Sequence, residues 1–143
     1  MFLIDTNVLT EALKQAPAPQ VVRWLNRAFT DSAISSVTAF ELTAGATRLP
    51  AGQRRDAMEN AIARLVRRFG PRTYSFDMAA AQSSTRLINL ARTLGLGLHQ
   101  LPTKTADLQI AGIAEAYGLT LATRNLRDFT GLGLSLFNPW DQA

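Results

Sequence analysis

Short apolar runs alternate along the chain with longer stretches of mixed polarity. Phe2, Leu3 and Ile4 form an apolar run closed by Asp5, the form of a strand buried on both faces. Residues 7–14 read as the helix after it. The Ala16-Pro-Ala-Pro19 break then separates that helix from a second one, with Val21, Val22, Leu25 and Phe29 as its apolar positions. Residues 33–37 are the next expected strand. Thr38 and Glu41 have the S/T-x-x-E spacing of a capping box, which predicts a helix from there to about Ala46, followed by a loop over 48–52. From Gln53 onwards Met58, Ile62, Leu65 and Phe69 recur at helical spacing until Gly70-Pro71 stops them. Residues 73–76 alternate as a strand, Asp77 is placed to cap a long helix to Leu94, and Gly95-Leu-Gly97 leads into an irregular stretch through Pro102. A helix over 105–117 ends at Gly118, and strands are expected at 119–123 and 135–137.

Strands that alternate with helices imply parallel pairing through right-handed crossovers. The expected fold is therefore α/β, a central, mostly parallel sheet of about five strands flanked by helices. A chain of 143 residues suits one domain spanning 1–143, and no repeat, linker or low-complexity segment divides it.

Four acids stand where apolar runs end or helices begin: Asp5, Glu41, Asp107 and Asp128. In an open α/β sheet the ligand crevice lies outside the carboxyl ends of the strands, so acids far apart in sequence can meet there. Converged carboxylates repel unless a cation or protons intervene, and hard oxygen ligands suit Mg²⁺, with Mn²⁺ as a substitute. The chain has no cysteine, which excludes disulfides and thiolate metal sites and suits a reducing cytoplasm. Its start lacks the basic and long apolar regions of a signal peptide, and no apolar run is long enough to span a bilayer. The net charge of +4 is uneven: residues 48–104 hold ten basic side chains against three acids, while the flanks together are acidic. Arg54, Arg55, Arg64, Arg67 and Arg68 are candidates for contact with a nucleic-acid backbone; a solvated helix face is the plain alternative.

The ordered signature is Leu3-Ile-Asp-Thr-Asn-Val-Leu9, Ser36-Val-Thr-Ala-Phe-Glu-Leu42, Ala106-Asp-Leu-Gln-Ile-Ala-Gly112 and Leu121-Ala-Thr-Arg-Asn-Leu-Arg-Asp-Phe129. Taken together it resembles the PIN-domain family, in particular VapC-type toxins of toxin–antitoxin modules. The closing Leu136-Phe-Asn-Pro-Trp140 resembles the FitB-like branch. The resemblance implies a PIN-like three-layer fold, with Asp5 and Asp107 as principal metal ligands and Glu41 as a third site carboxylate. It implies hydrogen bonds from Thr6, Asn7 and Thr123 that orient the carboxylates. The family's fourth polar position falls on Asn125, where many relatives carry Asp, and Asp128 stands three residues on. Lys104 is not part of the family motif as it stands here; contact with a phosphate and exposure to solvent are both open to it.

Each acid alone has a simpler role, since Asp5 can cap a helix, Glu41 can complete a capping box and Asp107 can complement a helix dipole. Caps need not recur in the order and context of one family, and the joint pattern favours a shared site. Asp77 stays a cap, His99 a loop residue, and Trp24 and Trp140 packing residues. No P-loop motif appears, and Asp5-Thr-Asn7 lacks the second aspartate of a phosphatase loop. The expected function is a Mg²⁺-dependent endoribonuclease toxin acting on single-stranded RNA, with no protein nucleophile. The alternative from another class is a weakly active or silent subunit in a DNA-bound regulatory complex. Both imply a homodimer and a small antitoxin with a DNA-binding domain, a segment of which covers the acidic pocket.

Overall fold

Phe2–Ile4 (β1), Ser32–Ser35 (β2), Thr73–Tyr74 (β3), Thr120–Ala122 (β4) and Leu136–Phe137 (β5) form one sheet in the order β3-β2-β1-β4-β5, every pair parallel. The computed structural model describes residues 1–100 and 104–142, and nothing of the Leu98 side chain. Its helices are α1 (Thr6–Ala12), α2 (Pro19–Ala28), α3 (Ser36–Ala46), α4 (Gln53–Phe69), α5 (Met78–Leu94), α6 (Thr105–Ala116) and α7 (Leu126–Phe129).

Successive strand residues point to opposite faces of the sheet. Leu3, Ala33 and Leu121 join a cluster with Leu87, Ile88, Ile110 and Ile113 from α5 and α6. Their neighbours Ile4, Ile34 and Ala122 join a second cluster with Val8, Leu9, Val21, Trp24, Leu42 and Ile62 from α1 to α4. With helices on both faces, the inner strands have no solvent side. That is why they read as continuous apolar runs, and the expected three-layer α/β fold is the one observed.

Several boundaries moved. Residues 33–37 were the expected strand, but β2 starts at Ser32 and ends at Ser35, whose extended backbone caps α3. Ser35 Oγ accepts the Thr38 amide at 2.9 Å and donates to Thr38 Oγ1 at 3.0 Å. The Ser35 hydroxyl therefore performs the capping expected of Thr38, three residues earlier in the chain, and Glu41 lies well inside the helix. The strands expected at 73–76 and 119–123 pair only over Thr73–Tyr74 and Thr120–Ala122. The helix expected over 7–14 is the shorter α1, and α7 was not anticipated. Among its described residues the irregular stretch expected through Pro102 holds a 3₁₀ turn, Gly97–His99; Pro102 itself lies outside the described residues. Asp77 caps α5 as expected, accepting the Ala80 amide at 3.0 Å.

One glycine governs how α5 and α6 approach. A Cβ on Gly112 would lie 2.0 Å from Ser84 Oγ and 2.6 Å from the Ala80 carbonyl oxygen. Ser84 Oγ in turn donates to the Leu108 carbonyl at 3.1 Å. This close crossing fixes α6, which carries Asp107 in its first turn.

Candidate functional site

The strand order reverses around β1: the chain builds outward through β2 and β3, then returns to add β4 on the other side of β1. In such sheets the crevice opens at the carboxyl ends of the two strands where the order reverses. The residues that follow β1 and β4 are Asp5 and Thr123, and they touch. The Asp5 amide donates to the Ala122 carbonyl at 2.9 Å, and Thr123 Oγ1 donates to Asp5 Oδ2 at 2.7 Å.

Asp5 is also the cap of α1, its Oδ1 accepting the Thr6 amide at 2.7 Å. Asn7 Nδ2 donates to Asp5 Oδ2 at 2.9 Å and to Thr123 Oγ1 at 3.1 Å. The Asn125 amide donates to the same Thr123 hydroxyl at 3.0 Å, and the Arg124 amide donates to Asn7 Oδ1 at 3.3 Å. Capping and site roles, which the sequence presents as rivals, fall on the same carboxylate. Among the described residues no buried side-chain nitrogen or oxygen lacks a partner. Thr6, Asn7 and Thr123 do contact the carboxylates: Thr6 Oγ1 donates to Glu41 Oε1 at 2.6 Å, tying α3 to the start of α1.

Asp5 is only 4 % exposed. Burial pushes its carboxyl up from the ordinary 3.8 to about 6; the Thr123 and Thr6 hydrogen bonds oppose that, while Asp107 and Glu41 add to it. Asp107 is raised as well, chiefly by burial, with Lys104 opposing and Asp128 and Glu41 reinforcing. Asp5, Glu41 and Asp107 line one pocket of about 430 Å³ together with Thr6, Asn7, Thr10, Glu11, Lys14, Arg124 and Trp140.

Asp128 and Asn125 do not line that pocket. Asp128 Oδ2 accepts Lys104 Nζ at 2.7 Å and Asn125 Nδ2 at 2.5 Å. Lys104 Nζ lies 3.8 Å from Asp107 Oδ2, so it neither faces solvent alone nor stands free for a phosphate. His99 sits on its 3₁₀ turn, its Nδ1 against the Leu96 carbonyl, and does not line the acidic pocket. Trp24 packs against Phe2 and Phe137 in the core as expected. Trp140 packs on the same core but also walls the pocket, with the Arg124 guanidinium 5.2 Å from its ring centre.

Sequence reasoning missed Thr10, Glu11, Lys14 and Arg124. The first three had a signal: with Asn7 they follow the i, i+3, i+4, i+7 spacing of one helix face. Glu11 is a wall residue whose carboxylate accepts the Ala18 amide at 2.9 Å and Lys14 Nζ at 2.6 Å, closing the proline-rich turn. Arg124 has no ion pair among the described residues. Beside the pocket runs an apolar groove of about 680 Å³ between α1, α3 and α4, which shares Thr10, Lys14 and Glu41 with it. Of the five candidate arginines, all on α4, Arg54 reaches this groove, Arg55 pairs with Glu59 at 2.8 Å and Arg68 stacks on Phe29. Arg64 and Arg67 are exposed.

A parallel sheet in this order, with three carboxylates gathered over its carboxyl edge, defines a PIN-type α/β domain. The PIN domain model matches residues 2–132, and the chain belongs to the PIN-domain family. Within it the chain is 37 % identical to the plasmid stability protein StbB of Pseudomonas syringae pv. tomato, over 99 % of both chains. It is 32 % identical to the VapC ribonuclease Y4jK of Sinorhizobium fredii over the full length of both. Among solved structures it resembles FitAcB from Neisseria gonorrhoeae (31 % identity, TM-score 0.88, 99 % of both chains). It is equally similar in shape to FitAB bound to an IR36 DNA fragment (29 % identity, TM-score 0.88, covering 100 % of this chain and 98 % of the other). It is thus a PIN domain of the VapC and FitB toxin kind. Among the described residues no helix is long and apolar enough to cross a membrane.

The family implies a divalent cation, and the donor set fits one. Asp5, Glu41 and Asp107 offer hard oxygen, and Glu41 Oε2 and Asp107 Oδ1 have no hydrogen-bond donor among the described residues. No three acidic side chains among the described residues close on a single point. The site is an open carboxylate rim, which suits an ion that keeps several waters and takes only one or two carboxylates directly.

Proposed function

We propose that this protein is a metal-dependent endoribonuclease and the toxin of a toxin–antitoxin pair, acting in the cytoplasm. One observation carries the reading: Asp5 at the end of β1, Glu41 of α3 and Asp107 of α6 line one pocket, and the most buried of them, Asp5, is held above its ordinary pKa by burial and by the other two. Asp5, Asp107 and Glu41 would hold Mg²⁺ or Mn²⁺, directly or through its waters, and the ion would supply Lewis-acid activation of water and charge neutralisation at a phosphodiester. Thr6, Asn7 and Thr123 hold the Asp5 and Glu41 carboxylates in fixed orientations. Arg124, without an ion pair among the described residues and beside Trp140, presents a positive charge to an entering phosphate. The VapC ribonucleases among its relatives support RNA as substrate.

The structures it resembles are of toxin–antitoxin complexes, one of them bound to DNA, and they support a small DNA-binding antitoxin as partner; on this reading the protein is a homodimer. The apolar groove that runs into the acidic pocket suits an antitoxin segment that would cover both. A second reading, a silent subunit of a DNA-bound regulatory complex, is favoured by the engagement of Asp128 with Lys104 and Asn125, which keeps that carboxylate out of the pocket that Asp5, Glu41 and Asp107 line.

Incubation of the purified, partner-free protein with single-stranded RNA separates the two. The nuclease reading expects cleavage with Mg²⁺ or Mn²⁺, none in excess chelator, and loss of at least 100-fold in Asp5→Asn and Asp107→Asn. Cleavage that persists in chelator refutes the metal. Absence of cleavage, with the antitoxin complex still binding promoter DNA, favours the regulatory subunit.

A further inference from the structure

Lys104 stands at the edge of the acidic site, where nothing in the PIN signature calls for a cation. It occupies the N-cap position of α6 without a capping hydrogen bond, three residues before Asp107. Its ammonium is 2.7 Å from Asp128 and 3.8 Å from Asp107, and its side chain is only 30 % exposed. Asp128 is held from two sides: Asn125 donates to the same Oδ2 that Lys104 binds, and the carboxylate lies off the pocket wall that Asp5, Glu41 and Asp107 share.

We infer that Lys104 is a built-in cation that withholds Asp128 from the metal site and limits the centre to one divalent ion. The inference rests on the metal-dependent reading above and adds its stoichiometry. A second ion beside Asp107 would need a further carboxylate on that side, and Asp128, which shares the Lys104 ammonium with Asp107, is placed to serve. To recruit it, the ion would have to break a charge-assisted hydrogen bond and approach an ammonium within a few ångströms of its own position. Like charges at that separation, partly shielded from water, repel strongly. Removing that charge leaves two carboxylates facing each other uncompensated, which is the arrangement that takes up a divalent cation.

The test is Mn²⁺ binding, read by calorimetry and by the electron paramagnetic resonance of free Mn²⁺, with no substrate present. Wild type is expected to bind one ion per chain. Asp128→Asn should bind one ion with affinity within fivefold of wild type, because that carboxylate is already engaged. Lys104→Met should bind two ions, or the first at least tenfold more tightly, and adding Asp128→Asn to it should restore wild-type behaviour. Two ions in wild type, a larger loss in Asp128→Asn, or a Lys104→Met titration identical to wild type would each overturn the inference while leaving the metal site standing. No Mn²⁺ bound by any variant removes the metal reading and this inference with it. Circular dichroism checks that Lys104→Met folds; should it not, the Asp128→Asn arm decides alone.

Discussion

Replacing Asp5 by asparagine should destabilise the metal-free protein in acid and stabilise it in base. In the folded chain the Asp5 carboxyl titrates at about 6 instead of 3.8, first because it is buried and then because Asp107 and Glu41 face it. A folded-state pKa above the unfolded value means that the favourable, protonated form is fully present below 3.8 and is lost as pH rises through about 6. At about 1.4 kcal/mol per pH unit the wild type should lose on the order of 3 kcal/mol between pH 4 and pH 8 through this group alone. Asparagine cannot ionise and escapes that loss. It pays elsewhere, since its amide group would meet Asn7 Nδ2 donor to donor in place of the 2.9 Å hydrogen bond, and Asn7 is kept from flipping by the Arg124 amide. One unmet buried group costs about 1 kcal/mol. Asp5→Asn should therefore be less stable than wild type by about 1 kcal/mol at pH 4 and more stable by about 2 kcal/mol at pH 8. Urea unfolding followed by circular dichroism, in chelator from pH 4 to pH 8, measures both limbs. A difference that stays flat to within about 0.5 kcal/mol over that range refutes the reasoning, because a buried carboxyl that feels its neighbours must titrate. Adding Mg²⁺ at pH 8 should stabilise the wild type alone.

Gly112→Ala forces a methyl to within 2.0 Å of Ser84 Oγ and 2.6 Å of a backbone carbonyl, so α6 must shift. A loss of about 1–3 kcal/mol is expected in urea unfolding, together with weaker Mn²⁺ binding through displaced Asp107; wild-type values for both would show that the crossing is not tight. Of the five arginines on α4, only Arg54, Arg64 and Arg67 are without an ion pair or ring contact among the described residues. The triple change to Gln should flatten the salt dependence of single-stranded RNA binding by about 2 in log–log slope if all three contact phosphates, measured by fluorescence anisotropy. An unchanged slope would make the cluster a solvated face.

Much of the architecture was legible in the chain because its strands are short, apolar and buried on both faces, and because glycines and prolines punctuate the helices between them. β1 and α4 lie where the periodicity puts them, and Asp77 caps where its position implies. The helix start at Ser36 was less legible, since Ser35 and Thr38 are equally good caps by type. The choice between them turns on where β2 leaves its ladder, and that depends on pairing with β1 and β3.

The acids themselves were visible at a distance, each next to an apolar run, but their common location was not. Asp5, Glu41 and Asp107 share a pocket because the strand order reverses beside β1 and because a glycine lets α6 lie close against α5. Linear spacing carries neither fact. The same holds for Asp128 and Lys104: the sequence shows an acid near the end of one segment and a base at the start of another. Only the tertiary structure brings them to 2.7 Å, so that one neutralises the other. Composition and periodicity determine which residues are buried and what elements they form, since both are set by local geometry and by transfer from water. Which charges meet is decided by contacts between residues far apart in the chain, and these exist only once the layers have packed.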